Sequence, residues 1–200
     1  MAAKPRPGFP ARGTSLIRSS SSSEDHIDMT ELAFAPLVAT TRQALASAPP
    51  SAALATFRVD SRQTAGLRSD VRIRQFDVGV DEPPTLGGAD TAPNPVEYAL
   101  LALATCQEIT YRLHADHLGI PLDAVSVSLE GDVDLRGFFA VDDAVRPGFR
   151  EIRGTITLES RAPFEALERL KSHVDAHCPV LDLVSNPTPL VLSLRTNVPA

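Results

Sequence analysis

The stretch Asn94 to Arg112 reads NPVEYALLALATCQEITYR. Its Asn-Pro start predicts a helix, because proline is tolerated in the first turn, where its missing N–H would have no partner anyway. From Tyr98 to Thr105 the residues are apolar on nearly every side, which is typical of a buried helix. A membrane span needs about 20 apolar residues, so this run is too short to be one. The stretch therefore predicts a core helix, with Cys106 where polar residues return.

Alternating apolar and polar residues on both sides of this helix predict antiparallel strands. Before the helix, a meander of alternating runs leads into the turn-rich loop PPTLGGADTAP; the runs span residues 53–60, 68–74 and 76–80. After it, Gly119 is the expected C-terminal cap. Two strands, an amphipathic helix and a last strand follow, at residues 124–134, 149–159, 163–177 and 190–194. Because the strands occur in consecutive runs, this order favours an α+β fold over a parallel α/β sheet.

The N-terminal part of the chain differs in composition from the rest. Residues 1–28 are rich in Pro, Ser and Arg and predict a disordered extension. Residues 29–50 carry a weak helical pattern, which Thr30 would cap and Pro49-Pro50 would end. Residues 51–200 are the expected folded domain. Met29 is an alternative start of the chain, and the sequence leaves that choice open.

Charge and cysteine content argue against several classes of protein. The 200 residues carry a net charge of −6 and no dense basic run after the N-terminal region, which argues against nucleic acid as a partner. No N-terminal stretch has the apolar run of about 7–15 residues found in secretory signals. Two cysteines are too few for a secreted disulfide scaffold. We therefore expect a cytoplasmic protein without a membrane segment.

The residues themselves leave several roles open for Cys106 and Cys178. Two cysteines in a cytosolic chain are most often small hydrophobic residues, and the protein is then a structural or small-molecule-binding domain. Redox chemistry and a metal site at His173, His177 and Cys178 are alternatives. One residue along a helix is a rotation of about 100°, which turns Cys178 away from His177. A nucleophilic hydrolase is disfavoured because no oxyanion-type glycine motif flanks Cys106. We expect neither a metal nor a cofactor.

NPVEYALLALATC, followed by HCPV at residues 177–180, resembles the OsmC/Ohr family, the osmotically inducible protein C and organic hydroperoxide resistance group. The resemblance runs from about Thr56 to Arg195. It implies an OsmC-like fold, with antiparallel sheets packed around two long central helices in an intertwined homodimer. It also implies a thiol-dependent peroxidase with an organic or hydrogen peroxide as its substrate and an external dithiol as its reductant.

The resemblance implies roles for three residues. Cys106 is the expected peroxidatic cysteine, and Cys178 the cysteine that resolves its sulfenic acid as a disulfide. Arg68, at the end of the turn Gly66-Leu67-Arg68, is the expected cation that lowers the pKa of the Cys106 thiol. Arg72 and Arg74 are its alternatives.

One departure from the family pattern concerns a catalytic glutamate. Ohr-type members have a glutamate directly after Asn-Pro, where this chain has Val96. Glu97 is the nearest replacement, and Glu108 and Glu82 are alternatives. The departure favours the broader OsmC-like branch. A non-catalytic binding or stress-related protein on the same fold is the second functional hypothesis.

Overall fold

A computed structural model describes residues 34–197 of the chain. Helices and strands follow one another as α1 Ala35–Ser47, β1 Asp60–Ala65, β2 Arg68–Ile73, β3 Phe76–Val80, α2 Pro95–Leu118, β4 Ala124–Val133, α3 Leu135–Phe138, β5 Phe149–Glu159, α4 Phe164–Asp175 and α5 Pro179–Ser185. Short 3₁₀ turns lie at Pro50–Ala53 and Pro84–Leu86. The predicted disordered extension, residues 1–28, and the predicted cap Thr30 lie outside the described residues.

The strands of the described chain form two antiparallel sheets. β1, β2 and β3 form a meander in which Val71 of β2 pairs with Ser61 on one side and Val78 on the other. β4 and β5 form a two-stranded sheet with Val127 opposite Ile156. Together with the helices, these sheets confirm the predicted α+β class.

Two of the predicted strands are wrong within the single chain. Residues 54–59 and 186–197 are irregular, and β1 begins only at Asp60. Their apolar side chains are exposed to solvent, for example Phe57 at 91% and Leu192 at 83%. A strand needs a hydrogen-bonding neighbour, and no strand of residues 34–197 pairs with either segment.

α2 is a helix of 24 residues with well-formed ends. A capping box begins it: Asn94 Oδ1 accepts from the Glu97 N–H at 2.9 Å, and Glu97 Oε2 accepts from the Asn94 N–H at 2.8 Å. Gly119 follows its last residue in a left-handed conformation with φ +66°, as predicted. None of the helices in residues 34–197 combines the length and hydropathy that crossing a membrane requires.

One side of α2 forms the core, and another is open. Tyr111 and Ala115 pack with Leu122 and with Leu170 and Val174 of α4. On other sides of the helix, Leu101 is 51% exposed and Ile109 60%. The all-round burial predicted for this helix is therefore not reached within one chain, because α1, β4, α4 and α5 cover only part of its circumference; it stays a prediction for the homodimer.

Candidate active site

Cys106 and Cys178 lie side by side although 72 residues separate them along the chain. Their sulfur atoms are 3.4 Å apart, and Cys178 Sγ–H is placed to donate to Cys106 Sγ. Both are free thiols; Cys178 is 1% exposed, and Cys106 is partly exposed. A disulfide bond is about 2.05 Å long, so the two sulfurs need to approach by only about 1.4 Å to form one.

The junction between α4 and α5 holds Cys178 in place. α4 ends at Asp175, and the N–H of Cys178 still donates to Val174 O at 2.9 Å. Pro179 has no N–H and begins α5, so the chain turns at this point. The carbonyl of Cys178 accepts from the Asp182 N–H at 3.0 Å. Hydrogen bonds on both sides of the turn therefore fix the cysteine backbone.

Cys106 lies near the middle of α2, beside the buried core. Burial raises the pKa of its thiol above the ordinary value, and the neighbouring Cys178 thiol also raises it. The N–H of Val180, in the first turn of α5, and the Thr110 hydroxyl act in the opposite direction. The pKa remains raised, so Cys106 in a single chain is a protonated thiol at neutral pH. A reactive thiolate requires a further positive charge near this sulfur.

Arg68 lies near the beginning of α2, whereas Cys106 of the same chain lies near the middle of that helix. Its Nη1 donates to Thr91 Oγ1 at 2.7 Å, and its Nη2 pairs with Asp70 Oδ1 at 2.9 Å. The guanidinium contacts Gly79, whose carbonyl accepts from Tyr98 Oη at 2.8 Å. Cys106 follows Tyr98 by eight residues, which is about 12 Å along the helix axis. The structure therefore does not bring Arg68 to Cys106 within the same chain.

The acidic residues near Asn-Pro have structural contacts at the beginning of α2. Glu97 closes the capping box through its Oε2. Glu82 Oε2 accepts from Asn94 Nδ2 at 3.2 Å. Glu108 lies on α2 two residues after Cys106 and is partly buried. Glu97 and Glu82 thus lie at the same end of the helix as Arg68, away from the cysteine pair of their own chain.

Sequence reasoning missed Asp81, which organises the loop before α2. Asp81 is 1% exposed and accepts from the N–H groups of Glu82, Ala89 and Thr91 and from the Thr91 hydroxyl. Gly88 allows the loop to close, because a β-carbon there would lie 1.8 Å from the Glu82 carbonyl oxygen. An aspartate directly after a strand and before a glycine-rich loop was the available signal, since such side chains commonly bind turn backbone.

The OsmC-like protein family model matches residues 87–193, which is more than half of the chain. The match includes all of α2 and both cysteines. The chain belongs to the OsmC-like family. No curated protein matches the chain.

Solved structures of OsmC-like proteins share this fold. The OsmC like protein from Mycoplasma pneumoniae is 17% identical, with a TM-score of 0.58 over 66% of this chain and 88% of that one. An organic hydroperoxide resistance protein OsmC from Legionella pneumophila is 21% identical, with a TM-score of 0.53 over 66% and 90%. An organic hydroperoxide resistance protein from Elizabethkingia anophelis is 18% identical, with a TM-score of 0.52 over 66% and 89%. At these identities the likeness establishes the fold.

Three histidines of this OsmC-like chain form a cluster between α2 and the end of α4. His114 Nδ1 and His173 Nε2 are 3.0 Å apart, and the rings of His173 and His177 stack with centroids 4.2 Å apart. Burial lowers the pKa of both His114 and His173, and the neighbouring histidines and Arg42 lower it further. In the described part of the chain, no three His, Cys, Asp or Glu side chains are placed to hold a metal ion.

Acidification is expected to destabilise this OsmC-like chain through that cluster. The pKa values of His114 and His173 lie below the ordinary 6.5 in the folded state, so the unfolded chain binds more protons just below that pH. The free energy of unfolding should fall as pH decreases from about 7 to about 5, by at most about 1.4 kcal/mol per pH unit for each proton. Urea unfolding at a series of pH values measures this. His173→Gln should flatten the profile, whereas an equally steep profile in that variant would contradict the assignment.

Proposed function

We propose that the protein is a thiol-dependent peroxidase that reduces organic or hydrogen peroxides through Cys106 and Cys178. The sulfur–sulfur distance of 3.4 Å is the observation that carries this proposal. Two free thiols within a small movement of a disulfide suit a cycle in which one is oxidised and the other resolves it. Membership of the OsmC-like family, some of whose solved relatives are organic hydroperoxide resistance proteins, supports the same chemistry.

The reaction begins with the thiolate of Cys106. It attacks one oxygen of the peroxide, the O–O bond breaks, and the other oxygen leaves as an alkoxide that takes a proton to become an alcohol. Cys106 is then a sulfenic acid. Cys178 loses its proton and attacks this sulfur; hydroxide leaves as water and the disulfide forms. An external dithiol reduces the disulfide by two electrons and restores both thiols.

The exposure of the two thiols supports this division of roles. Cys106 is the more exposed of the pair, whereas Cys178 is 1% exposed behind it. A peroxide from solvent therefore meets Cys106 first. Cys178 suits the resolving role because hydrogen bonds fix its backbone beside Cys106, and only a small movement of the two sulfurs is needed to form the disulfide.

The chain functions as a homodimer in this proposal, in which long α2 helices from two copies lie between the sheets. A groove of about 1370 Å³ is lined by α2, α4, α5 and the β4–β5 sheet. Small-molecule pockets are about 300–1000 Å³, so this groove has the size for a polypeptide. Gln107 and Tyr111 contribute to its lining, and their buried Oε1 and Oη atoms have no hydrogen-bond partner within the described residues. A second copy seated in this groove would also pair with residues 54–59 and 190–194.

The dimer would also bring an Arg68 side chain close to Cys106. Two α2 helices packed antiparallel through their open sides, and crossing near Leu101, would bring the beginning of one beside Cys106 of the other. The partner's Arg68 would then stabilise the Cys106 thiolate and lower the raised pKa of that thiol. Glu97 belongs to the same end of α2; its Oε2 caps the helix, and its Oε1 has no hydrogen bond within the described residues and is available to orient the arginine.

In this proposal the catalytic domain has its predicted bounds, residues 51–200. Of the predicted helical segment 29–50, the described part contains α1 Ala35–Ser47. α1, in that segment, adjoins α2, and the Phe34 N–H donates to Asp116 Oδ2 at 2.8 Å. A cytoplasmic location suits the cycle, because reducing systems there keep thiols reduced.

Peroxide is expected to convert the wild-type protein to an intramolecular disulfide. One equivalent of cumene hydroperoxide should consume both thiols, because the sulfurs are already in contact. Thiol titration and intact mass measure this, the latter as a loss of two hydrogen atoms per chain. The corresponding alcohol is the control and should leave both thiols free. Two free thiols after several equivalents of hydroperoxide would favour the non-catalytic binding protein instead.

The dimer is expected to depend on the open side of α2. Ile109→Glu should leave the single chain folded, because the side chain is 60% exposed there, and should shift a dimer to the 21.4 kDa monomer. Sedimentation velocity at micromolar concentration measures this. Leu45→Glu on α1 is the control: it is exposed too, but lies outside the family match. A wild type that sediments only as a monomer would contradict the dimer.

A further inference from the structure

We propose that Asp81 and Thr91 are positioning residues for Arg68: the buried carboxylate holds the threonine hydroxyl, and that hydroxyl holds the guanidinium. The inference rests on the proposed function, since it gives the activating arginine a defined orientation. It concerns groups at the beginning of α2, which are separate from the cysteine pair of the same chain.

We call this chain of hydrogen bonds, from Asp81 through Thr91 to Arg68, the relay, and Asp81 is its fixed end. Its carboxylate is 1% exposed, and a buried charge of this kind persists only where hydrogen bonds replace its water. Three backbone N–H groups and the Thr91 hydroxyl provide those bonds, the last of them at 2.7 Å. The Thr91 side chain is the largest of the influences that lower the pKa of Asp81. Asp81 is therefore an ionised group that can only accept hydrogen bonds.

The direction of the Thr91 hydrogen bonds follows from this charge. A threonine hydroxyl has one proton and two acceptor positions. Because Asp81 can only accept, Thr91 donates its proton to the carboxylate, and its oxygen lone pairs remain for a donor. Arg68 Nη1 lies 2.7 Å from that oxygen and is the donor. The Thr91 hydroxyl cannot instead donate its proton to Arg68, because a guanidinium has no acceptor atom.

The surroundings of the guanidinium restrict its other positions. A β-carbon on Gly79 would lie 3.0 Å from Arg68 Nη2 and 3.4 Å from Ala92 Cβ, so the group fits against a glycine. Asp70 pairs with Nη2, but its side chain is 57% exposed, and exposed ion pairs hold a side chain weakly. Thr91 is exposed as well, but its hydroxyl is fixed by the buried Asp81 carboxylate, and this anchored contact sets the orientation of the guanidinium. Only two nitrogens, Nη1 and Nη2, take part in these contacts, which leaves further N–H groups for a thiolate or a peroxide oxygen.

Thr91→Val and Thr91→Ser test the relay in the assembled protein. Valine has the shape of threonine without the hydroxyl, and serine retains the hydroxyl. With cumene hydroperoxide, Thr91→Val should lower kcat/KM about tenfold or more, because it removes both the hydrogen bond that holds Arg68 and the one that the hydroxyl donates to Asp81. The pH profile of Cys106 alkylation should shift to higher pH, towards that of Arg68→Ala. Thr91→Ser should stay within about twofold of wild type, and a serine variant as impaired as the valine variant would contradict the relay.

Arginine side-chain NMR separates this inference from the proposed function. In wild type and in Thr91→Ser, hindered rotation should resolve the two Nη signals of Arg68, and in Thr91→Val they should average. Resolved signals in Thr91→Val would overturn the inference, whatever the activity. If that variant does not fold, the wild-type spectrum decides, and averaged Arg68 signals there would overturn it. Full activity of Arg68→Ala would instead refute the role of Arg68 in the proposed function, and the spectra would still test the relay.

Discussion

Replacing Cys106 by serine is expected to reduce peroxide consumption to the rate of buffer alone. A serine hydroxyl is slightly smaller than the thiol and is not oxidised to a sulfenic acid, so the first step is lost. Cys178 is not expected to take over, because its side chain is 1% exposed. A coupled assay of organic hydroperoxide with a small dithiol as the reductant measures the rate.

Several outcomes of the Cys106→Ser experiment are informative. The circular dichroism spectrum and melting temperature should match those of wild type closely, because only one atom changes. Thr105→Ser, at the preceding and exposed position of α2, is the matched control and should retain full activity. Turnover in Cys106→Ser at more than a small fraction of the wild-type rate would assign the reaction to another group and refute the proposed mechanism.

Replacing Cys178 by serine is expected to stop the cycle at a sulfenic acid on Cys106. The first oxidation does not need Cys178, but resolution does, because its sulfur lies 3.4 Å from Cys106. One equivalent of hydroperoxide should produce the alcohol once and then no further turnover. A dimedone-type probe should label Cys106, and excess peroxide should oxidise it to the sulfinic acid. Mass spectrometry of the labelled peptide measures both products.

Two results would change the assignment of Cys178. Sustained turnover by Cys178→Ser with the small dithiol would show that the reductant resolves the sulfenic acid directly. Absence of any probe adduct, with Cys106 still a free thiol, would show that the first step does not occur. Wild type treated in the same way should give little adduct, because the disulfide forms before the probe reacts.

The helix that carries Cys106 was predicted almost completely from local sequence. Asn94-Pro95 and Gly119 mark its ends because capping depends on hydrogen bonds and backbone angles within a few residues. The hairpin strands β2, β3, β4 and β5 were predicted for a similar reason, since each has a neighbour close in sequence. The His-Cys-Pro-Val turn after α4 belongs to the same group.

The predictions that failed involve segments whose partners are far away. Residues 54–59 and 190–194 alternate as strands do, yet within the described chain they are exposed and unpaired. Alternation shows that one face is apolar, but not which surface covers it. The all-round burial expected of α2 is likewise not reached within one chain, because the apolar residues of one helix do not tell whether the same chain or a second copy packs against them.

Local sequence therefore determined the helix ends, the hairpins and the family, because each depends on residues that are neighbours along the chain. Tertiary structure alone decided that the two sulfur atoms lie 3.4 Å apart and that Arg68 binds Thr91 rather than approaching Cys106 of its own chain. These distances depend on how α4 packs against α2 and how the loop after β3 wraps around Asp81. Both arrangements depend on many weak contacts between residues that are distant in sequence, and no short sequence pattern predicts the outcome of those contacts.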